Sequence, residues 1–248
     1  MSNINLDITR LMARFANAAY QDFDNLDFSD IGYTIIYTIN DEDTDTQAFI
    51  ARDTSNLVLS FRGTSSIKDA LNDLTITRVR YPKTKNFLFH PRIHQGFFNA
   101  YSSVKSNIQS KIQSLLKDEP LEVYITGHSL GAALANITAL DLVLDKIVKN
   151  PKLYTFGCPK VGNRKYTKII SKTLKNMYNV IDVNDIIPRT PPSFKSFRSY
   201  YWLENGTIHH KNHIPHLVEL DPDDIVKLLS DGIKEHSMKN YRETLNQL

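Results

Sequence analysis

A serine between two glycines is the feature of this sequence with the clearest chemical meaning. The pentapeptide 127-GHSLG-131 follows an apolar stretch, Leu121–Thr126, and leads into a long helical pattern, Ser129–Val148. In this strand–turn–helix context, Gly-x-Ser-x-Gly is typical of a nucleophile elbow, which projects the serine hydroxyl above the edge of a sheet. Glycines at both ends of the turn leave it the room it needs. The spacing predicts Ser129 as a nucleophile. An ordinary strand-to-helix turn, the alternative, would not explain a serine between two glycines at this spacing.

A serine hydroxyl is a weak nucleophile, so it needs a base and an acid that orients the base. With a nucleophile elbow, the order along the chain is serine, then acid, then histidine. Asp182 lies within a downstream strand pattern and Asp185 lies on the loop after it, where catalytic groups are common. His128 is set aside as the base because it neighbours the serine and should point away from it. The other candidates for the base stay open: His209, His210, His213, His216 and His236.

Attack on an acyl carbon also requires N–H groups that hold the oxyanion formed in the transition state. The N–H of Leu130, the residue after the serine, is one expected donor. The second should come from the loop after an earlier strand. The segment 61-FRGT-64 ends a strand pattern and turns at Gly63, which makes it the candidate loop. A strand-ending glycine turn without a catalytic role is the alternative.

Strands and helices alternate in the second half of the sequence, which favours a parallel sheet with helices on both faces. The predicted strands are Tyr33–Ile39, Gln47–Ala51, Leu57–Phe61, Leu121–Thr126, Leu153–Phe156, Met177–Val183 and Tyr200–Leu203. The predicted helices are Leu6–Tyr20, Phe97–Leu116, Ser129–Val148, Asn163–Leu174, Asp223–Leu229 and Ile233–Leu245. No linker-like composition separates two units. We therefore expect one α/β domain over residues 1–248.

Composition agrees with a globular domain and excludes several other classes. The 248 residues are 41% hydrophobic and 23% charged, with a net charge of +3, which gives no electrostatic case for nucleic-acid binding. The single cysteine, Cys158, excludes an internal disulfide framework. No apolar run reaches the length of a membrane span, and the first ten residues lack the pattern of a secretory signal. These features predict a cytoplasmic protein, with leaderless secretion left open.

Separated blocks of the sequence together resemble the fungal-type (class 3) lipases, a family of the α/β-hydrolase superfamily. The matching blocks, in the order of the family pattern, are 61-FRGTSS-66, 94-HQGFFNAY-101, 123-VYITGHSLGAALA-135, 154-YTFGCPKVGN-163, 184-NDIIPRTPP-192 and 236-HSMKNY-241. They cover most of the chain, and their agreement is far more specific than any single motif. The resemblance implies an α/β-hydrolase fold, with a mostly parallel central sheet and a short helical lid.

The resemblance also implies roles for particular residues. Ser129 would be the nucleophile, Asp185 the acid and His236 the base, and Asp182 would be a structural carboxylate. Thr64 would give the second oxyanion donor beside Leu130. The implied activity is hydrolysis of carboxylic esters, with acylglycerols as the expected substrates and no cofactor. A phospholipase A-type or feruloyl-type esterase, and a non-catalytic protein on the same fold, are the alternatives.

The segment 65–76 resembles the lid of this family. Ile67, Ala70, Leu71 and Leu74 follow helical spacing and would form its apolar face towards substrate. The segment lacks a large aromatic residue, and its outer face is polar. Because apolar area drives contact with a lipid–water interface, we expect transient contact and weak interfacial activation. A docked surface helix with no gating role is the alternative.

The histidine-rich segment 209-HHKNHIPH-216 could hold a metal, since histidines four residues apart lie on one face of a helix. Pro215 argues against a regular helix there, and no cysteine is nearby. A solvated loop is therefore the expected structure, and no metal site is predicted.

Overall fold

The computed structural model describes residues 4–64, 77–83, 90–197, 199–204, 206–212, 214, 232 and 236–248. Its strands are β1 (Thr34–Asp41), β2 (Thr46–Arg52), β3 (Asn56–Phe61), β4 (Arg78–Arg80), β5 (Arg92–His94), β6 (Glu122–His128), β7 (Lys152–Phe156), β8 (Asn176–Asp182), β9 (Tyr200–Glu204) and β10 (Thr207–Lys211). Its α-helices are α1 (Leu6–Ala18), α2 (Gln95–Asp118), α3 (Leu130–Leu144), α4 (Arg164–Thr173) and α5 (Met238–Gln247).

An eight-stranded sheet runs through these elements in the order β1-β2-β3-β6-β7-β8-β9-β10. The strands from β3 to β9 in this order are parallel, and the pairs at both ends of the sheet are antiparallel. Strands β4 and β5 form a separate antiparallel pair. Parallel neighbours end at the same edge, so the residues that follow β3, β6, β7 and β8 lie beside one another.

Apolar side chains cover both faces of the sheet. On one face, α2, α3 and α4 bury side chains such as Ile108, Ile137 and Ile170. On the other face, α1 and α5 pack together over β6 and β7, with Phe15 and Tyr241 fully buried. Burial of a phenylalanine side chain contributes about 1.5–3 kcal/mol. This second layer matters for the site because α5 begins two residues after His236.

Side-chain caps fix where two of these helices begin. The Asn5 carboxamide oxygen accepts the Ile8 N–H at 3.0 Å at the start of α1. At the start of α5, the Ser237 hydroxyl accepts the Lys239 N–H at 3.2 Å. The sequence predicted a helix over Ile233–Leu245, whereas α5 begins at Met238. The Ser237 cap is the physical reason, because it leaves His236 outside the helix.

The α/β architecture predicted from the sequence is confirmed, with differences at two places. The β4–β5 pair was not predicted, since each strand is only three residues long. Strand β10 was also missed, because its polar sequence is typical of a loop. As the last strand of the sheet it has one partner, β9, and most of its residues are exposed. The predicted helix Asp223–Leu229 and the proposed lid, 65–76, lie outside the described residues.

Candidate active site

Ser129 occupies a strained turn between β6 and α3. Its backbone has φ 57° and ψ −126°, a conformation that residues with a side chain rarely adopt. The Ser129 N–H donates to the Phe156 carbonyl on the neighbouring strand at 3.1 Å, which holds the turn against β7. The residue is only 6% exposed. Packing over-determines this strained geometry, as expected for a nucleophile elbow.

The two glycines of the pentapeptide are required by close backbone approach. A Cβ atom at Gly127 would lie 2.4 Å from the Gly131 carbonyl carbon. A Cβ atom at Gly131 would lie 2.4 Å from the Phe61 carbonyl oxygen and 2.8 Å from that of Arg62. No side chain fits at these distances. The prediction that the glycines make room for the turn is confirmed, and Gly131 in addition lets the loop after β3 approach the start of α3.

A fully buried histidine–carboxylate pair lies at the same edge of the sheet. Nδ1 of His236 is 2.7 Å from Oδ2 of Asp185, and both side chains have no exposed surface. Oδ1 of Asp185 accepts the Ile187 N–H at 2.8 Å. The hydroxyl of Tyr241 donates to Oδ2 at 2.7 Å. Three donors therefore fix the carboxylate, which in turn fixes the orientation of the imidazole.

Tyr241 connects this pair to helix α5 and to β8. Its hydroxyl accepts the Asp182 N–H at 3.0 Å while donating to Asp185. Burial and the negative charge of Asp185 raise the pKa of Tyr241 well above its usual range, so it stays a neutral donor. The Asp182 carboxylate accepts the Asn184 N–H at 2.8 Å. Asp185, and not Asp182, therefore faces the histidine.

The ring of His128 joins the serine turn to His236. Its centroid lies 4.4 Å from that of the His236 ring, with an interplanar angle of 27°. Because His128 precedes Ser129 directly, this stack brings Ser129 and His236 to one place. Nε2 of His236 has no hydrogen-bond partner among the described residues, so it is not bonded to the Ser129 hydroxyl in this structure. Such bonds are often long without substrate and tighten when it binds.

Leu130 and Thr64, the residues predicted as oxyanion donors, lie on two backbone segments at this edge. Leu130 is the first residue of α3, where N–H groups have no acceptor within the helix and the helix dipole is positive. Thr64 follows the turn at Gly63. A Cβ atom at Gly63 would lie 2.7 Å from the His128 carbonyl oxygen, so this loop runs directly against the nucleophile turn.

The structure describes two of the remaining histidine candidates, and both lie on the outermost strand of the sheet. His209 and His210 are exposed on β10, where their Nε2 atoms lie 2.7 Å from Thr207 Oγ1 and 2.9 Å from Ser199 Oγ, respectively. In the part of the chain that the structure describes, no cluster of histidine, cysteine or acidic residues could hold a metal. The other predicted binding residues lie outside the described ranges: Ile67, Leu71, Leu74, His213 and His216.

Sequence reasoning missed two side chains at the site. Tyr241 was part of a matching block, but nothing in its spacing identified it as a partner of Asp185. His128 was expected to point away from the reacting centre, whereas its ring contacts the His236 ring. No sequence signal could have found either contact, because both depend on how the segment around α5 packs against the sheet.

Curated relatives have the same kind of sequence over much of this chain. The chain is 32% identical to a lipase of Rhizomucor miehei over 172 residues, which is 66% of the chain and 46% of the relative. It is 32% identical to secreted mono- and diacylglycerol lipase A of Penicillium cyclopium over 187 residues, 71% of the chain and 59% of the relative. The chain spans about half the length of several of these relatives.

The prediction of a cytoplasmic location is wrong by this comparison. Several relatives are named as secreted lipases, and this contradicts the prediction. The prediction depended on the lack of a signal pattern in the first ten residues, and those residues carry no information about the processing of a longer chain. Separately, no helix within the described ranges has the length and apolar character needed to cross a bilayer.

Solved structures have the same fold. A triacylglycerol lipase, described as having a serine protease triad at its catalytic centre, superposes with a TM-score of 0.77 at 26% identity. The match covers 85% of this chain and 85% of that one. The predicted α/β-hydrolase fold is thereby confirmed.

A family model identifies the segment that holds most of the site. The model for lipase (class 3) matches residues 58–195, a range that includes Thr64, Ser129, Leu130 and Asp185. This range is more than half of the chain. With the strained serine turn and the buried histidine–carboxylate pair at one edge of the sheet, the match shows that the chain belongs to the class 3 lipase family.

Proposed function

We propose that this chain hydrolyses carboxylic esters, with Ser129 as nucleophile, His236 as general base and Asp185 as the group that orients the base. The observation that carries the proposal is the buried His236–Asp185 pair, whose imidazole stacks on the ring of His128, the residue directly before Ser129. An imidazole held at Nδ1 by a carboxylate presents Nε2 as the only proton acceptor.

The reaction follows from these positions. The Ser129 hydroxyl attacks the ester carbonyl carbon and passes its proton to Nε2 of His236. When the tetrahedral intermediate collapses, His236 gives this proton to the leaving alcohol, and the acyl group stays on Ser129. Water, deprotonated by His236, then releases the carboxylic acid. Asp185 stays ionised and stabilises the imidazolium that forms in each step.

The proposed oxyanion donors are the N–H groups of Leu130 and Thr64. Their support is the close packing of the loop after β3 against Gly131 and the nucleophile turn. Each such donor contributes about 2.7–4 kcal/mol to catalysis where it has been removed in other hydrolases. No cofactor enters the proposed reaction.

Acylglycerols are the proposed substrates. The support is that the relatives include named mono- and diacylglycerol lipases. We propose one domain over residues 1–248, with the segment 65–76 as a lid whose Ile67, Leu71 and Leu74 contact the acyl chain. Because the outer face of that segment is polar, contact with a lipid–water interface should be transient.

A panel of esters tests the substrate class. Monoacyl-, diacyl- and triacylglycerols are compared with phosphatidylcholine and a feruloyl ester, each below and above the concentration at which it aggregates. We expect the highest kcat/KM on acylglycerols and only a small rise in rate when they aggregate. A higher kcat/KM on phosphatidylcholine or on the feruloyl ester would contradict the proposed substrate class. A steep rise in rate on aggregation would contradict the expected weak interfacial activation.

Gly157, directly after β7, gives a specific prediction for the buried pair. Its φ is +56°, and a Cβ atom there would lie 2.7 Å from Cε1 of His236 and 2.8 Å from Oδ2 of Asp185. Gly157→Ala should push the imidazole out of line, because these atoms have no free space. We expect kcat on a water-soluble ester to fall about 100-fold, as expected for a displacement of about 1 Å.

The matched control is Gly32→Ala. Gly32 also has a positive φ, +74°, but a Cβ atom there would meet nothing within 4 Å. Gly32→Ala should lose about 1–2 kcal/mol of stability through backbone strain, and Gly157→Ala should lose more, because its Cβ also meets buried atoms; thermal unfolding measures both. Only Gly157→Ala should lose activity. Equal activity of the two variants would show that the His236–Asp185 pair does not need the space that Gly157 leaves.

A further inference from the structure

The histidine before the nucleophile makes contacts that the proposed reaction does not use. His128 is 2% exposed, and its ring stacks on the ring of His236. Its Nδ1 atom is hydrogen-bonded to the hydroxyl of Tyr20 at 2.7 Å. The rings of Tyr20 and Tyr241 each meet the His128 ring edge-on, with centroids 5.8 Å away. His128 is therefore held on several sides while it covers one face of His236.

We propose that Tyr20 and His128 form a positioning pair, which holds the His236 ring in its working orientation and fastens the oxyanion loop to the nucleophile turn. This inference rests on the proposed role of His236 as the base. Asp185 fixes His236 only at Nδ1, so the ring could still swing about that bond. A flat, immobile ring at 4.4 Å limits this motion, since protein interiors are close-packed.

Tyr20 connects the pair to the loop that holds Thr64. The tyrosine lies just after α1, and its hydroxyl oxygen would be 2.1 Å from a Cβ atom at Gly63. The hydroxyl therefore rests against the bare backbone of that loop, while it bonds to His128. The Tyr20 side chain thus touches the loop after β3 and the residue before the nucleophile. Loss of its hydroxyl should loosen both.

The groups around His236 include both charged and neutral side chains, and His128 is one of the neutral ones. Asp185 faces it from the loop after β8, Tyr241 from α5 and His128 from β6. Arg189 lies behind Asp185 and donates to its carbonyl oxygen at 2.6 Å, and Arg62 lies on the side of Tyr20. Burial and the nearby His236 charge hold the pKa of His128 well below its usual value. His128 therefore stays neutral when His236 takes up a proton.

A neutral aromatic face also favours the charged form of His236. A cation over an aromatic ring is attracted by the electrons of its face. When His236 takes the serine proton, the His128 ring should stabilise the imidazolium. The pair thus acts on the proton transfer and not on the binding of the ester.

The kinetic test is a double-mutant cycle of Tyr20→Phe and His128→Phe. Each variant keeps its ring and removes the bond between them. We expect each to lower kcat on a water-soluble ester about 3–10-fold with KM unchanged, and the double variant to fall no further than the larger single effect. Tyr178→Phe is the control and should keep full activity, because it removes the hydroxyl of a tyrosine on β8 whose ring stacks on that of Tyr154. If the two substitutions lower kcat additively, or if KM changes as much as kcat, the proposal that the two residues act as a positioning pair is overturned.

The second test follows the ring signals of His236 by NMR and does not depend on turnover. His128→Leu removes the flat ring that stacks on His236, so the Cε1–H and Cδ2–H signals of His236 should shift and broaden as its ring gains freedom. His128→Phe should keep these signals sharp and close to their wild-type positions. Unchanged signals in folded His128→Leu would overturn the proposed positioning. If His128→Leu does not fold, the kinetic cycle decides.

These tests separate the pair from the proposed function. If the wild-type protein hydrolyses no ester, the proposed function fails, while the NMR signals of His236 still report on the ring contact. If the wild-type protein hydrolyses esters and neither Tyr20→Phe nor His128→Phe changes kcat, the proposal of a positioning pair is wrong and the proposed function stands.

Discussion

Replacement of Ser129 by alanine is expected to abolish ester hydrolysis, with kcat lower by about 10⁴–10⁶-fold. In serine hydrolases the nucleophile acts as a unit with its base, so removing either loses most of the catalysis. What remains should come from the oxyanion donors and substrate binding. The measurement is initial rate on a water-soluble ester at high enzyme concentration, with KM determined where the residual rate permits.

The matched control is Ser114→Ala, an exposed serine on α2. This variant should keep full activity and the wild-type melting temperature. Ser129→Ala should also melt near the wild-type temperature, because alanine removes only the hydroxyl from the turn. Full turnover in a folded Ser129→Ala protein would mean that another group attacks the ester.

Asp185→Asn has the second largest expected effect, a loss of about 10³–10⁴-fold in kcat. The carboxamide oxygen can still accept the Ile187 N–H, so its NH₂ group turns towards Nδ1 of His236 and the Tyr241 hydroxyl. A donor at that place forces the wrong tautomer, in which Nε2 carries the proton and cannot act as a base. The variant is assayed for kcat and KM beside the wild type.

Asp182→Asn is the control for this prediction. Its carboxylate accepts a backbone N–H from Asn184, and the oxygen of an asparagine can do the same. We expect its kcat to stay within a few-fold of wild type. A larger loss in Asp182→Asn than in Asp185→Asn would show that Asp182, and not Asp185, orients the histidine.

The layered fold could be predicted because its signals are local. The alternation of β-branched runs and helical patterns after Leu121 marks the parallel strands, and each of these is confirmed within a few residues. The ends of elements were less predictable, since they depend on caps and partners. Strand β10 shows this: its residues, Thr207–Lys211, are polar, and only pairing with β9 makes them a strand.

The site could be predicted in part for the same reason. Ser129 and its glycines lie in one pentapeptide, so their geometry is encoded locally. The sequence favoured Asp185 over Asp182 because Asp185 lies on the loop after the strand, but it left the histidine open, and only the resemblance to a family favoured His236. Tyr241 contacts Asp185, His128 contacts His236, and Tyr20 contacts His128, so these contacts join α5, β6 and the residues after α1. Such contacts depend on the packing of distant segments, so no local pattern reports them.

The most direct test of the account is labelling with a fluorophosphonate, which reacts only with an activated serine. The labelled protein is digested, and the modified peptide is identified by mass spectrometry. We predict that one site is labelled, at Ser129, that labelling is lost in Ser129→Ala and that it is much slower in Asp185→Asn. Failure of the folded wild-type protein to react, or a label on any other residue, would contradict the proposal that Ser129 is the nucleophile.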